Sequence, residues 1–276
     1  MPLSLTIRRL LTTQPIDLPV FHPIAIRLQQ MLEVPDFTMD AVIALASEDP
    51  SLAGQILKVA NSTVYVGRVR TETIKDAVIR LGAKQVSNLA MAASHAGLHV
   101  SKHPVINSFM QSLWQHSHAC AVGSRLLARS AGYAQFADQA YMAGLLHDVG
   151  KLYLLKALER LNNAGVAQAA LEHELLMEIF LELHVDQGDR LMEHWNMPKS
   201  FAKIVAKHHD VKYDTSDTVL TVVRLVNSAC KIKGIGLVKD PTINLLGMPE
   251  TNLLQLEQDE LDDMLESLDD SLDLQL

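Results

Sequence analysis

Apolar residues recur three and four positions apart along most of the chain, and no stretch sustains the strict alternation that marks a half-buried strand. That pattern confines the fold to packed helices. Aromatic residues make up 5% of a chain that is 48% hydrophobic, so the core must be assembled from Leu, Val, Ile, Ala and Met. An all-α fold is expected.

Helix boundaries can be read from punctuation. Ile24, Leu28, Met31 and Leu32 follow helical spacing, and Thr38 or Asp40 can cap a helix through Val42, Ile43, Leu45 and Ala46. Asp49-Pro50 starts another, with Pro50 at the first helical position, where its missing N–H costs nothing. Leu52, Ile56 and Leu57 give its apolar stripe, and it runs out at Asn61-Ser62. Thr73–Leu81, stopped by Gly82, and Lys84–Leu98 complete an N-terminal helical bundle, residues 1–100. Residues 97–104 are the best boundary. The second half suggests helices over 105–131, 138–158, 172–195, 199–209 and 217–233, which form a second domain over 105–233. Residues 234–250 read as loop, and 234–276 as loop followed by an acidic C-terminal helix or tail in which Leu253, Leu256, Leu261, Leu265, Leu268 and Leu272 recur at helical spacing.

Charge excludes some functions. Nine acidic residues fall between Glu257 and Asp273, so the net charge of −8 belongs to the tail and the body is near neutral. A nucleic-acid partner would need a basic stripe, and none is present. No segment has the roughly 18 unbroken apolar residues that a membrane span requires. Met1–Thr13 carries Arg8 and Arg9 and lacks a small-residue cleavage site. A cytoplasmic location away from membranes is therefore expected. Cys120 and Cys230 suit a reducing compartment and read as small buried hydrophobes.

Chemistry is concentrated in the histidines. His116 shares an apolar face with Phe109, Leu113 and Cys120 and is expected to point inward; His118 shares its face with Gln111, Gln115 and Arg125 and is expected in solvent. His184 falls with Gly188, Leu191 and Trp195 on an inward face, while His194 beside Arg190 is expected outside. His208 follows Phe201, Ile204 and Val205 on the buried side, with His209 next to it. Gly144-Leu-Leu-His147-Asp148-Val-Gly150-Lys151-Leu152 places an imidazole and a carboxylate side by side in an otherwise apolar helix. A buried carboxylate needs a cation or donors for company, and Lys151 lies three residues after Asp148. Gly144 and Gly150 would let neighbouring helices approach closely. Inward imidazoles from four helices around one carboxylate make a pocket for iron, manganese, zinc or magnesium. A neutral His-Asp-Lys network that only ties helices together fits the same spacing.

The segment Leu-Leu-His147-Asp148-Val-Gly-Lys151-Leu resembles the defining motif of the HD superfamily of metal-dependent phosphohydrolases, and Trp114-Gln-His116-Ser117 resembles the helix that supplies its first His ligand. Upstream, Asp49-Pro50-Ser-Leu52, Ile56-Leu57, Ala60-Asn61-Ser62 and Ala77-Val-Ile-Arg-Leu81-Gly82 resemble the signature of HDOD domains, the related signalling branch. The resemblance covers about residues 18 to 232. It implies a bacterial regulatory module in which an N-terminal bundle packs on an HD-like helical domain, with protein partners in signalling and a phosphate-containing small ligand in the old active-site cleft. It assigns His116, His147, Asp148, His184, His208 and His209 to metal positions, and Asp148 and Lys151 to catalytic ones, with Lys151 near the phosphate.

One departure is chemical. Where the superfamily has a final Asp ligand, Val223-Arg-Leu-Val-Asn227 offers an amide. Neutral imidazoles and one carboxylate balance two divalent ions poorly, so weakened or partial metal occupancy is expected. The stretch after His209, Asp-Val-Lys-Tyr213, lacks the Gly-Tyr-Pro loop of cyclic-di-GMP phosphodiesterases. The expected function is a regulatory HDOD module with a partly retained metal site; the alternative is a working metal-dependent phosphohydrolase.

Overall fold

Side chains that accept hydrogen bonds from a first helical turn decide where many of these helices begin. The computed structural model describes residues 5–13, 21–61, 70–165 and 171–270. Thr38 Oγ accepts from Ala41 N and starts helix α3 (Met39–Ala46). Asp49 accepts from Leu52 N at the head of α4 (Pro50–Ala60), whose first residue is the proline. Thr73 and Asp76 exchange side-chain and backbone bonds in a capping box before α5 (Ile74–Leu81), and Gly82, at φ +85°, ends it. With α2 (Pro23–Leu32) and α6 (Ala83–Leu98) these helices make one compact unit, formed by the described residues between 21 and 98 with 266–270. Leu28, Val42, Leu52, Ile56, Val86 and Leu89 are among its buried side chains. Asn61 ties the returning chain at two points: its amide donates to Thr71 O and its oxygen accepts from Thr71 N, each at 2.8 Å. Ser62 lies outside the described residues.

The other unit contains α1 (Leu5–Thr13) and the described residues between 99 and 265. Its long element is α7 (Pro104–Ser130), followed by α8 (Ala137–Leu146), α9 (Val149–Asn163), α10 (His173–His194), α11 (Lys199–Lys207), α12 (Thr218–Lys233) and α13 (Pro249–Leu254). The chain ends, as described, on α14 (Gln258–Asp270), where Leu261, Met264 and Leu268 are buried among the acidic residues; Leu272 and Asp273 lie outside the described residues. No strand occurs among the described residues, and no helix there is long and apolar enough to cross a membrane.

Two glycines set helix spacing. A Cβ on Gly144 would lie 2.5 Å from Cys120 O, and one on Gly150 would lie 1.8 Å from His184 O, so only glycine admits the approach of α8 to α7 and of α9 to α10. Two sequence expectations fail here. The helix expected over 138–158 is broken: His147 still donates its N–H to Ala143 O, but Asp148 leaves helical geometry (φ −103°, ψ 14°) and α9 starts after it. No Pro or Gly marks this break, so apolar periodicity runs straight across it. His118 is 4% exposed rather than in solvent, because every residue of α7 from His116 to Ser124 is buried and the helix has no solvent face there. Its ring stacks at 5.4 Å on that of Trp114.

Candidate metal centre

The break between α8 and α9 puts two polar side chains at the ends of apolar helices rather than along one. His147 closes α8 and Asp148 begins α9. His208 and His209 follow the last residue of α11 in the same way. His116 comes from the middle of α7 and His184 from α10.

These groups meet around one carboxylate. Asp148 Oδ2 lies 3.4 Å from His116 Nε2 and 3.4 Å from His147 Nε2, which are 3.3 Å from each other. The other oxygen, Oδ1, lies 3.6 Å from His184 Nε2 and 3.5 Å from His208 Nε2. Asp148 therefore stands between two poles, with one oxygen facing each. His209 joins the second pole: its ring is 4.1 Å from that of His208 and 5.1 Å from that of His184, on the exposed side.

Each buried ring is aimed by its far nitrogen. Nδ1 of His116, His147, His184 and His208 lies within 3.0 Å of a backbone carbonyl, those of Ile235, Gly144, Phe180 and Val205 respectively. A carbonyl only accepts, so Nδ1 carries a proton, and on a neutral ring the Nε2 lone pair points inward. Burial holds His147 and His184 in the neutral form, with pKa values down to about 4. Burial and neighbouring His208 bring His209 down to about 2. Burial also opposes charge on His116, but Asp148 and Cys230 outweigh it and raise it to about 9. Burial works against an ionised Asp148 as well; Lys151, with Nζ 2.5 Å from Oδ2, and the imidazoles of His147 and His116 overcome it, so the carboxyl titrates well below its usual range.

The second pole is incomplete as it stands. Asp148 Oδ1, His184 Nε2 and His208 Nε2 are all buried and none has a hydrogen-bond partner. Three acceptors facing one another without a donor are costly, and each such atom in a folded protein calls for an explanation. A cation supplies one. With metal–nitrogen bonds near 2.1 Å, ligand atoms in a tetrahedral set lie about 3.4 Å apart, close to the separations found here. The residues fit a divalent ion.

On the His116 side a cavity of about 30 Å³ is lined by His116, Asp148, Lys151, Asn227, Lys231 and Ile235, among others. Every residue assigned to the site from sequence is thus in or beside it, with Asn227 buried at the cavity wall and His209 at the rim. His194 is exposed and His118 stands apart from the cluster.

Several participants carried no readable sequence signal. Arg224 donates to His208 O at 2.8 Å and Asp210 O at 2.9 Å, stacks 4.1 Å over the Tyr213 ring and pairs with buried Glu250 at 2.6 Å, thereby fixing the turn that carries His208 and His209. Residues 26 apart across a loop share no periodicity. Gly236, in a segment expected to be plain loop, has φ +115°, and a Cβ there would sit 2.9 Å from His116 Cβ.

Several solved structures share this fold. An HDOD domain protein of unknown function from Geobacter sulfurreducens matches with a TM-score of 0.74 at 22% identity, over 97% of this chain and 94% of that one. A protein from Shewanella amazonensis SB2B, provisionally named a metal-dependent phosphohydrolase, matches at 0.67 and 20% identity over 97% and 96%. One from Marinobacter aquaeolei VT8, provisionally named a signal transduction protein, matches at 0.66 and 25% identity over 93% and 58%. An uncharacterized protein of Treponema pallidum (strain Nichols) is 25% identical over 201 residues, 71% of this chain, which spans only 38% of that relative's length. The HDOD domain family model matches residues 18–211, from the N-terminal bundle through the turn that carries His208 and His209, and the chain belongs to the HDOD family.

Proposed function

We propose that this chain is a regulatory HDOD module whose Asp148 centre binds a divalent ion and which passes on its state by contact with protein partners. The observation that carries the reading is the convergence of three buried acceptors, Asp148 Oδ1, His184 Nε2 and His208 Nε2, on a point with no donor. These residues, with His209, would hold the ion; His116 and His147 offer a second position on the other oxygen. A bound divalent ion supplies Lewis acidity toward a phosphate oxygen. Lys151 pairs with Asp148 Oδ2 and lines the cavity beside it. The backbone carbonyls behind each ring keep the Nε2 lone pairs presented.

A regulatory role is favoured over turnover by one feature: Asn227 brings no charge where a second carboxylate would balance a second ion. The solved neighbours' provisional names, signal transduction protein and metal-dependent phosphohydrolase, bracket the two readings. The second reading, a phosphohydrolase, is favoured by one observation: Lys151 lines the cavity beside Asp148, placed to meet a phosphate.

Elemental analysis of the purified protein tests the proposal. About one manganese ion per chain is expected after incubation with manganese, lost in Asp148→Asn; a wild type that takes up no manganese sinks it. Turnover of a simple aryl phosphate, lost in both Lys151→Ala and His147→Ala, would replace the regulatory reading with the second.

A further inference from the structure

His116 Nε2 faces more than Asp148. Cys120, one turn further along α7, places its Sγ 3.7 Å from that nitrogen, and Cys230 on α12 places its Sγ 3.6 Å from Cys120 Sγ. Both cysteines are free and fully buried, and neither takes part in the Asp148 centre described above. The three donor atoms lie within 4.8 Å of one another.

We propose that His116, Cys120 and Cys230 form a second cation site, selective for zinc or another thiophilic ion. The argument is geometric and chemical. A zinc ion with Zn–S bonds of about 2.3 Å and Zn–N bonds of about 2.0–2.1 Å sets ligand separations of about 3.8 Å between sulfurs and about 3.6 Å between sulfur and nitrogen. The two measured edges, 3.6 Å and 3.7 Å, already match these values within a few tenths of an ångström. The imidazole is oriented for ligation, because Ile235 O, 3.0 Å from Nδ1, holds that nitrogen's proton and turns Nε2 toward the sulfurs. Binding of M²⁺ displaces to solvent whatever protons the two Sγ atoms and His116 Nε2 hold, and two thiolates with a neutral imidazole cancel the charge of one divalent ion. The Asp148 centre, with a single carboxylate, cannot do this. Ligand softness divides the two places: thiolates select zinc-like ions, while carboxylate and imidazole also accept manganese and iron. On the proposed reading of the Asp148 centre there is a consequence for its occupancy. His116 has one inward lone pair, so an ion at the thiols withdraws His116 from Asp148 and leaves the His184–His208 pole intact.

Cobalt(II), added in one equivalent to metal-free protein, is the probe. A thiolate-to-cobalt charge-transfer band in the near ultraviolet is expected, abolished in Cys120→Ala and in Cys230→Ala. It should persist in the double variant His184→Gln/His208→Gln, which removes ligands from the Asp148 centre only; persistence there with no manganese bound by the wild type would sink the proposed function and leave this site standing. Absence of the band in the wild type, or its survival in both cysteine variants, overturns the site. Zinc-edge X-ray absorption of the wild type with one equivalent of zinc needs no variant: sulfur scatterers at zinc-bond distance are expected, and nitrogen and oxygen scatterers alone overturn the assignment.

Discussion

Two buried charged clusters occupy the helical unit made of α1 and the described residues between 99 and 265, and they are built on opposite principles. In the first, Arg224 spends its donors on Glu250 Oε1, His208 O and Asp210 O, and covers Tyr213 with its face. Glu250, with a side chain 2% exposed, pairs with Arg224 at 2.6 Å, while the Tyr213 hydroxyl beside them has no hydrogen-bond partner. In the second, Asp148 has Lys151 on one oxygen, while the other faces two imidazole lone pairs with nothing to donate. The first cluster is what a fold does with buried charge when the aim is rigidity. The second leaves acceptors unmet at the same depth, a cost that folding alone does not require and that a ligand would offset. Burial and charge do not tell the two apart. The balance of donors against acceptors does.

The contrast predicts that the complete cluster matters most to stability. Glu250→Ala strands a largely buried guanidinium and should cost about 3–5 kcal/mol, the range for breaking a buried pair by removing one partner. Urea denaturation of the metal-free protein measures it. A cost under about 1 kcal/mol would break the comparison at its first term, since Arg224 would then be satisfied without Glu250.

Parts of this arrangement were legible in the sequence, for definable reasons. His116, His184 and His208 could be placed inward because each recurs with apolar residues on one helical face, and burial follows that face. Thr38, Pro50 and Gly82 marked helix ends because their chemistry is local. What escaped depends on contacts remote in sequence. His118 was expected in solvent because its neighbours at helical spacing are polar, a rule that fails where α7 is enclosed on every side. The break at His147–Asp148 has no breaker residue to announce it. Cys120 and Cys230 are 110 positions apart, and nothing in either helix shows that it faces the other.

His118 supplies the next test, as a buried imidazole that has neither the acid company of the cluster nor a hydrogen bond on either nitrogen. Burial lowers its pKa from 6.5 to about 4. The unfolded chain therefore takes up a proton before the folded one does, across the interval between those two values. The stability this group permits is complete above pH 6.5 and is lost as pH falls toward 4. Between pH 6.5 and 5 the loss from this one residue comes to roughly 2 kcal/mol. His118→Leu, compared with the wild type by denaturant midpoint at pH 7 and pH 5, should lose about that much less on acidification. Parallel losses in the two proteins would mean that the ring is satisfied in the folded state.

The smallest effect is the most diagnostic. If the Asp148 cluster is arranged for a ligand rather than for rigidity, then Asp148→Asn in metal-free protein should cost about 1–2 kcal/mol, less than Glu250→Ala, although the attraction of Lys151 for the carboxylate is lost. The carboxylate that burial disfavours is removed, and Lys151, whose side chain is 19% exposed, can turn its ammonium to water instead of being stranded. The new amide also brings a donor to a place that holds three acceptors without one, which works in the same direction. The same substitution should still abolish manganese binding, so stability and occupancy come apart at this residue, whereas a residue such as Glu250 moves stability first. Were Asp148→Asn instead to cost as much as Glu250→Ala with no change in bound metal, the histidines around it would be a scaffold holding helices together. The difference between the two clusters would then lie only in how tightly each is bonded.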